Sequence, residues 1–342
     1  MAAKRVLYFD VLNVVACLGV VAMHFNGLTW AWSPTLSWLQ AFSVDCLFYW
    51  AVPIFFMLTG ATLMGYREKY DTKTFFAKRV ARTFVPFLAW SLGALVWQVA
   101  TGQYTDHLGP RTLLDLVFNA KIIDVYWFFI PLFSVYLALP VLSLLKDNRQ
   151  ALWYMAFGAS ALTVFLPRLF SLAGVEWNSN ASFPAASSYL VYVLLGYLLS
   201  TQEIPRGTRR AVYVLGVAGV AVRLVATIVL SGAEQGLSNG TWGYLNIPCF
   251  LQSVAVFVFA KSVRWEGLFS SARAKGALAR IAGCSFGIYL MHKVAFWYVI
   301  QLTGLNGGDW EFRVLAPLAC YALCLALTLG LKRIPVLRRA VP

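Results

Sequence analysis

Charge is what this chain has least of. Only 12% of its residues are Asp, Glu, Lys or Arg, about half the share found in a soluble globular domain. Acidic residues number 14 against 28 basic ones, so candidates for carboxylate chemistry are few. No stretch is long and polar enough to fold in water, and 60% of the residues are hydrophobic, which excludes a soluble enzyme. The six cysteines (Cys17, Cys46, Cys249, Cys284, Cys320, Cys324) all sit in apolar runs and none forms a Cys-x-x-Cys pair. They read as small packing residues, and no metal site is expected. The absence of a visible internal repeat weighs mildly against an inverted-repeat transporter.

What the chain has in quantity is apolar sequence in blocks of about 20 residues, the length that crosses a bilayer as a helix. Ten blocks stand out, at 8–27, 39–64, 81–100, 125–145, 151–170, 186–200, 211–231, 244–262, 279–303 and 313–331. The expected fold is all-α, a polytopic transmembrane bundle of about ten spans, with 1–342 as one domain. Lys4 and Arg5 before the first block resemble a signal peptide. The block lacks a small-residue cleavage site and carries Asp10 and His24, so it reads as a retained span. Prolines interrupt several blocks, among them Pro53, Pro86, Pro140 and Pro317, and predict kinks.

The connections alternate in charge. The N-terminus, 65–82, 146–149, 203–210, 261–280 and the tail are basic, whereas 28–38, 101–124, 171–185, 232–243 and 304–312 are nearly free of Lys and Arg. By the positive-inside rule both termini are cytoplasmic and the number of spans is even. The net charge of +14 therefore reads as topology, not as a nucleic-acid surface. Trp30, Trp32 and Trp38 cluster on the outer side, as interface anchors or as the lining of a substrate entrance.

Two of the three histidines lie inside apolar runs. A full charge at that depth costs roughly 2.5–3.5 kcal/mol on insertion scales, so ionisable groups there are usually kept for function. His24 lies roughly 20 Å beyond Asp10 along a helix, and His292 roughly 18 Å beyond Arg280, by the rise of about 1.5 Å per residue. A neutral imidazole suits general-base work on an alcohol, although either histidine also reads as a buried, hydrogen-bonded link between helices. Asp45 is close in depth to His24 and is placed to orient it, or to bond a backbone group at a helix entry. Arg79 and Arg82, three residues apart at the start of a span, present two guanidiniums on one helix face, an arrangement that grips phosphate or simply marks a cytoplasmic loop. Arg223 suits a lipid phosphate or a carboxylate, and Lys293 either assists His292 or snorkels outward.

Taken in order, these residues resemble the acyltransferase 3 family of integral membrane acyltransferases. The resemblance rests on Asp10-Val-Leu-Asn-Val-Val-Ala-Cys-Leu-Gly-Val-Val-Ala-Met-His24, Ala51-Val-Pro-Ile-Phe-Phe-Met-Leu-Thr-Gly60, Arg79-Val-Ala-Arg82, Tyr126-Trp-Phe-Phe with Tyr136 and Pro140, and Ser285-Phe-Gly-Ile-Tyr-Leu-Met-His292. Gly174-Val-Glu-Trp177 and the segment after it look most like the bacterial enzymes that O-acetylate enterobacterial common antigen. The resemblance implies transfer of an acyl group, usually acetyl from acetyl-CoA, to a hydroxyl of a cell-envelope glycan or lipid-linked sugar at the bacterial inner membrane. It implies a catalytic role for His24 and a CoA-phosphate grip by Arg79 and Arg82, with Asn13 at the position of the family arginine. On the residues themselves, His292 and Asp45 are further catalytic candidates and Asp10 is a cofactor-contact candidate. Acceptor contacts fall to Ser285, Tyr289, Lys293 and Trp127. Asn13 stands where the family has arginine, so its charge is missing from the cofactor grip. The competing readings are a transporter or flippase for a sugar-containing solute, and a catalytically impaired receptor.

Overall fold

The structure, a computed structural model, describes residues 5–342, so Lys4 lies outside the described residues. All its regular elements are helical. The α-helices in chain order are α1 (Leu7–Phe25), α2 (Leu36–Phe48), α3 (Ala51–Leu63), α4 (Thr72–Arg79), α5 (Val85–Ala100) and α6 (Pro110–Phe118). They continue with α7 (Phe129–Leu142), α8 (Arg149–Ser160), α9 (Leu166–Leu172), α10 (Leu190–Thr201), α11 (Arg206–Glu234) and α12 (Ile247–Ser262). The last four are α13 (Trp265–Leu268), α14 (Ala272–Ala282), α15 (Ser285–Thr303) and α16 (Trp310–Leu331).

Seven helical segments are long and apolar enough to cross a membrane: Leu7–Phe25, Leu36–Glu68, Thr72–Ala100, Asp124–Leu145, Arg149–Leu172, Arg206–Glu234 and Trp310–Leu331. Each coincides with an expected block, and the protein is a polytopic membrane helix bundle. The other three expected spans differ. Over 186–200 and 244–262 the helices are α10 and α12, of 12 and 16 residues. At about 1.5 Å per residue they are shorter than a hydrocarbon core of about 30 Å. The block 279–303 is two helices, α14 and α15, broken at Gly283–Cys284.

Proline shapes several of these elements. Pro53 sits in the first turn of α3, where a missing N–H costs no intrahelical bond, and the chain turns at Tyr49–Trp50 just before it. Two π-helical turns, Val80–Phe84 and Ala161–Phe165, each precede a proline, Pro86 and Pro167. A proline ring clashes with the carbonyl four residues back, here Arg82 and Thr163, and a widened turn gives that carbonyl room.

The chain divides into two compact units. The first comprises Met1–Met64, Leu144–Ala282 and Leu305–Leu318. Its helices meet at glycines: a Cβ on Gly60 would stand 1.9 Å from the Val193 carbonyl oxygen, and one on Gly196 2.0 Å from that of Met57, so α3 and α10 touch backbone to backbone. Gly216 and Gly219 do the same for α11 against α12, where added Cβ atoms would lie 2.3 Å from Ala255 Cβ and 2.9 Å from the Pro248 carbonyl oxygen. The second unit comprises Gly65–Ser143, Gly283–Gly304 and Ala319–Pro342. Its centre is aromatic, with Phe87, Phe129 and Phe133 packed ring to ring and Phe286 against Phe129.

Candidate active site

In the first unit His24 occupies the last turn of α1, half-buried, between the buried Met23 and Phe25. The chain leaves that turn through Asn26, which is fully buried. Its Nδ2 donates to the carbonyls of Ala22 at 2.9 Å and Arg313 at 3.0 Å, tying the end of α1 to the first turns of α16. Arg313 is itself buried. Its Nη2 and Nε donate to Gln40 Oε1 at 2.7 and 3.3 Å, and its Nη1 to the Gly307 carbonyl at 2.7 Å. Sequence reasoning passed over Arg313. The signal was there: it is an arginine opening an apolar run on the side otherwise nearly free of basic residues.

Asp45 and Arg223, two groups with open assignments in the sequence, are partners. Arg223 Nη2 donates to Asp45 Oδ2 at 2.5 Å, with the side chains 1% and 4% exposed. The guanidinium carbon lies 3.2 Å from the centroid of the Tyr49 ring, with Trp242 at 5.2 Å and Phe42 at 5.9 Å. Aromatic faces on the cation and hydrogen bonding to the carboxylate offset the cost of burying both charges. Trp38 is stacked on Phe42 and 2% exposed, so it is a core residue rather than an interface anchor. Trp32 packs edge-on against it, while Trp30 stays largely exposed.

Asp10 and Asn13 lie one turn apart on α1; Asp10 holds Arg5, and Arg5 and Asn13 reach the C-terminal end of α14. Arg5 Nε and Nη2 donate to the two Asp10 oxygens at 2.6 and 2.8 Å, and Nη2 also reaches the Ala279 carbonyl at 3.0 Å. Asn13 Nδ2 donates to the Ala282 carbonyl at 3.3 Å. Both donors satisfy backbone acceptors left over at a helix end.

In the second unit α15 carries Ser285, Tyr289, His292 and Lys293, and the turn 124–128, which carries Trp127, is clasped to it. Tyr126 Oη donates to the Leu290 carbonyl at 2.7 Å, and Tyr289 Oη donates to that of Val125. Lys293 Nζ meets Asp124 Oδ2 at 3.0 Å, but the carboxylate is two-thirds exposed and the pair is worth about 0–1 kcal/mol. His292 is fully buried, with Nδ1 2.6 Å from the Tyr289 carbonyl. A carbonyl only accepts, so Nδ1 carries the proton and Nε2 is the acceptor nitrogen of the neutral ring. Ser285 is buried in the first turn of α15, and Trp127 is half-buried. Because α15 restarts at Ser285, His292 lies only about 10 Å along it, not the 18 Å counted from Arg280 on an unbroken helix.

Arg79 and Arg82 both lie in the continuous helical segment Thr72–Ala100. Arg79 ends α4, and Arg82 lies in the π-helical turn that follows. Arg79 is half-buried, its guanidinium carbon 5.8 Å from the Phe75 ring and 5.7 Å from the Tyr136 ring, while Arg82 is exposed. Arg79 Nε is buried and makes no hydrogen bond among the described residues. Nor does any group of three His, Cys, Asp or Glu among the described residues gather as metal ligands. The six cysteines are buried and unbridged.

A family model described as an acyltransferase domain (Acyl_transf_3) matches residues 6–332. The chain belongs to this family. Membership supports acyltransferase activity in general for this polytopic membrane protein. No curated protein and no solved structure matches the chain. Within this acyltransferase family member, His24, Asp10, Asn13 and Asp45 belong to the first unit, and Arg79, Arg82, Trp127, Ser285, Tyr289, His292 and Lys293 to the second.

Proposed function

We propose that the protein is an O-acyltransferase of the bacterial inner membrane. It moves an acetyl or related acyl group from cytoplasmic acyl-CoA to a hydroxyl of a cell-envelope glycan or lipid-linked sugar, with His24 as general base. The observation that carries this reading is a half-buried histidine on the last turn of an apolar α1, in a chain that matches the acyltransferase model over 6–332. The imidazole takes the proton of the acceptor hydroxyl as its oxygen attacks the thioester carbonyl. The C–S bond then breaks, and the thiolate of CoA leaves with the proton returned by the imidazolium. A membrane interior keeps water from the thioester.

Arg79 and Arg82 would hold the CoA phosphates. An exposed guanidinium and one whose Nε lacks a hydrogen bond are suited to a forked phosphate grip. Asn13 is engaged at the end of α14 and Asp10 by Arg5, so the grip rests on the arginine pair Arg79 and Arg82. His292, held by the Tyr289 carbonyl, with Ser285, Tyr289, Lys293 and Trp127 on or beside α15, would face the acceptor. The Asp45–Arg223 pair would keep the first unit rigid.

The test is transfer of labelled acetyl from acetyl-CoA into the glycan and lipid fractions of membranes carrying wild type or His24→Ala. Loss of a general base lowers the rate by about 10²–10⁴-fold, with acetyl-CoA binding retained. Full transfer by His24→Ala would overturn the assignment.

A further inference from the structure

Away from the residues discussed so far, the first unit contains a cavity of about 360 Å³ at the basic end of α11. Three arginines line it, Arg206, Arg209 and Arg210, together with Tyr213 on the next turn and Phe259 and Val263 from α12 and its end. Spacings of three and four residues place the three guanidiniums on one helix face. None of them makes an ion pair or a side-chain hydrogen bond with any described residue. The neighbouring cation on α12 is different: Lys261 Nζ is spent on the carbonyls of Leu199 and Gln202. Glu203, the nearest carboxylate in the chain, is exposed and is not part of the lining. Like charges packed within a turn repel, so the cavity as built calls for an anion.

Its other walls say which anion. Tyr213 and Phe259 meet edge to face, with centroids 6.1 Å apart, and Phe259 is 55% exposed. The following turn of α11 exposes Val214 and Val217, at 68% and 71%, on a helix long and apolar enough to span a membrane. An aromatic collar between a cationic end and an apolar flank is the profile of a headgroup level, with acyl chains running along the helix beyond it. A soluble phosphate compound has no use for that flank.

We propose that this cavity binds the phosphate headgroup of an anionic phospholipid. The arginines would take the phosphate oxygens, and the lipid tails would lie along Phe259, Val214 and Val217.

The experiment uses the full chain in nanodiscs of phosphatidylcholine doped with phosphatidylglycerol, reading the lipid that stays bound by native mass spectrometry. At about 1 kcal/mol per basic residue near an anionic surface, R206Q/R209Q/R210Q should weaken phosphatidylglycerol retention roughly a hundredfold and Arg209→Gln alone about fivefold. The charge-matched R273Q/K275Q/R280Q on α14 should leave retention near wild type. Arg209→Gln keeps the test decisive if the triple variant misfolds. Unchanged retention in the arginine variants, or equal loss in the α14 control, would overturn the site. Displacement of the lipid by inorganic phosphate or adenosine 3′,5′-bisphosphate would overturn the lipid assignment in favour of a soluble anion.

Discussion

Among single residues, Arg223 and Asp45 show how a charge is kept inside this fold. Each lies within an apolar helix, and together they form one ion pair covered by Tyr49, Trp242 and Phe42. Removing one partner strands the other. Arg223→Ala should therefore cost about 3–5 kcal/mol, read as a large drop in the melting temperature of the detergent-purified protein. Asp45→Leu combined with Arg223→Met should recover most of it. A single variant that melts like wild type would contradict the pairing. Both residues were visible in the sequence as ionisable groups in apolar runs, but 178 positions separate them and periodicity does not pair residues across that distance. The same limit hid Arg313, and it hid the role of Asn13. Asn13 reads as a lost charge in the sequence, and in the fold it is a ligand for the end of α14.

At the level of elements, helix existence was largely legible and helix interruption was not. Hydropathy marks each apolar block. Whether a proline turns the chain, as before α3, or widens a turn, as at Val80–Phe84, depends on neighbours that a linear reading does not see. At the site, a π-helical turn begins directly after Arg79 and contains Arg82, a local change of winding that hydropathy does not report. Close packing of helices was equally hidden. Gly60→Ala would drive a Cβ into the Val193 carbonyl and should cost about 1–3 kcal/mol or more. Gly93→Ala on α5 meets nothing within 4 Å and should be neutral or stabilising by up to about 1 kcal/mol, a contrast checked by melting temperature. Similar losses in both variants would count against the α3–α10 contact.

For the whole molecule, charge alternation between connections was the most readable feature, and it makes a topological prediction for the helix Arg206–Glu234. Alkaline phosphatase fused within 232–243 should be active and within 203–210 inactive. The reverse pattern would contradict the positive-inside reading of this helix. Family membership was legible because ordered motifs span the chain, whereas the acceptor is a matter of pocket shape that no motif encodes. What unites these scales is the proposed grip of acyl-CoA by Arg79 and Arg82 and the proposed base at His24. The most direct measurement is acetyl-CoA binding to the purified protein, comparing wild type, His24→Ala and Arg79→Ala/Arg82→Ala. Wild type and His24→Ala should bind alike, and the double variant should bind on the order of 10- to 100-fold more weakly, the loss of two charge-assisted phosphate contacts. Absence of binding by folded wild type, or full binding by the double variant, would contradict it.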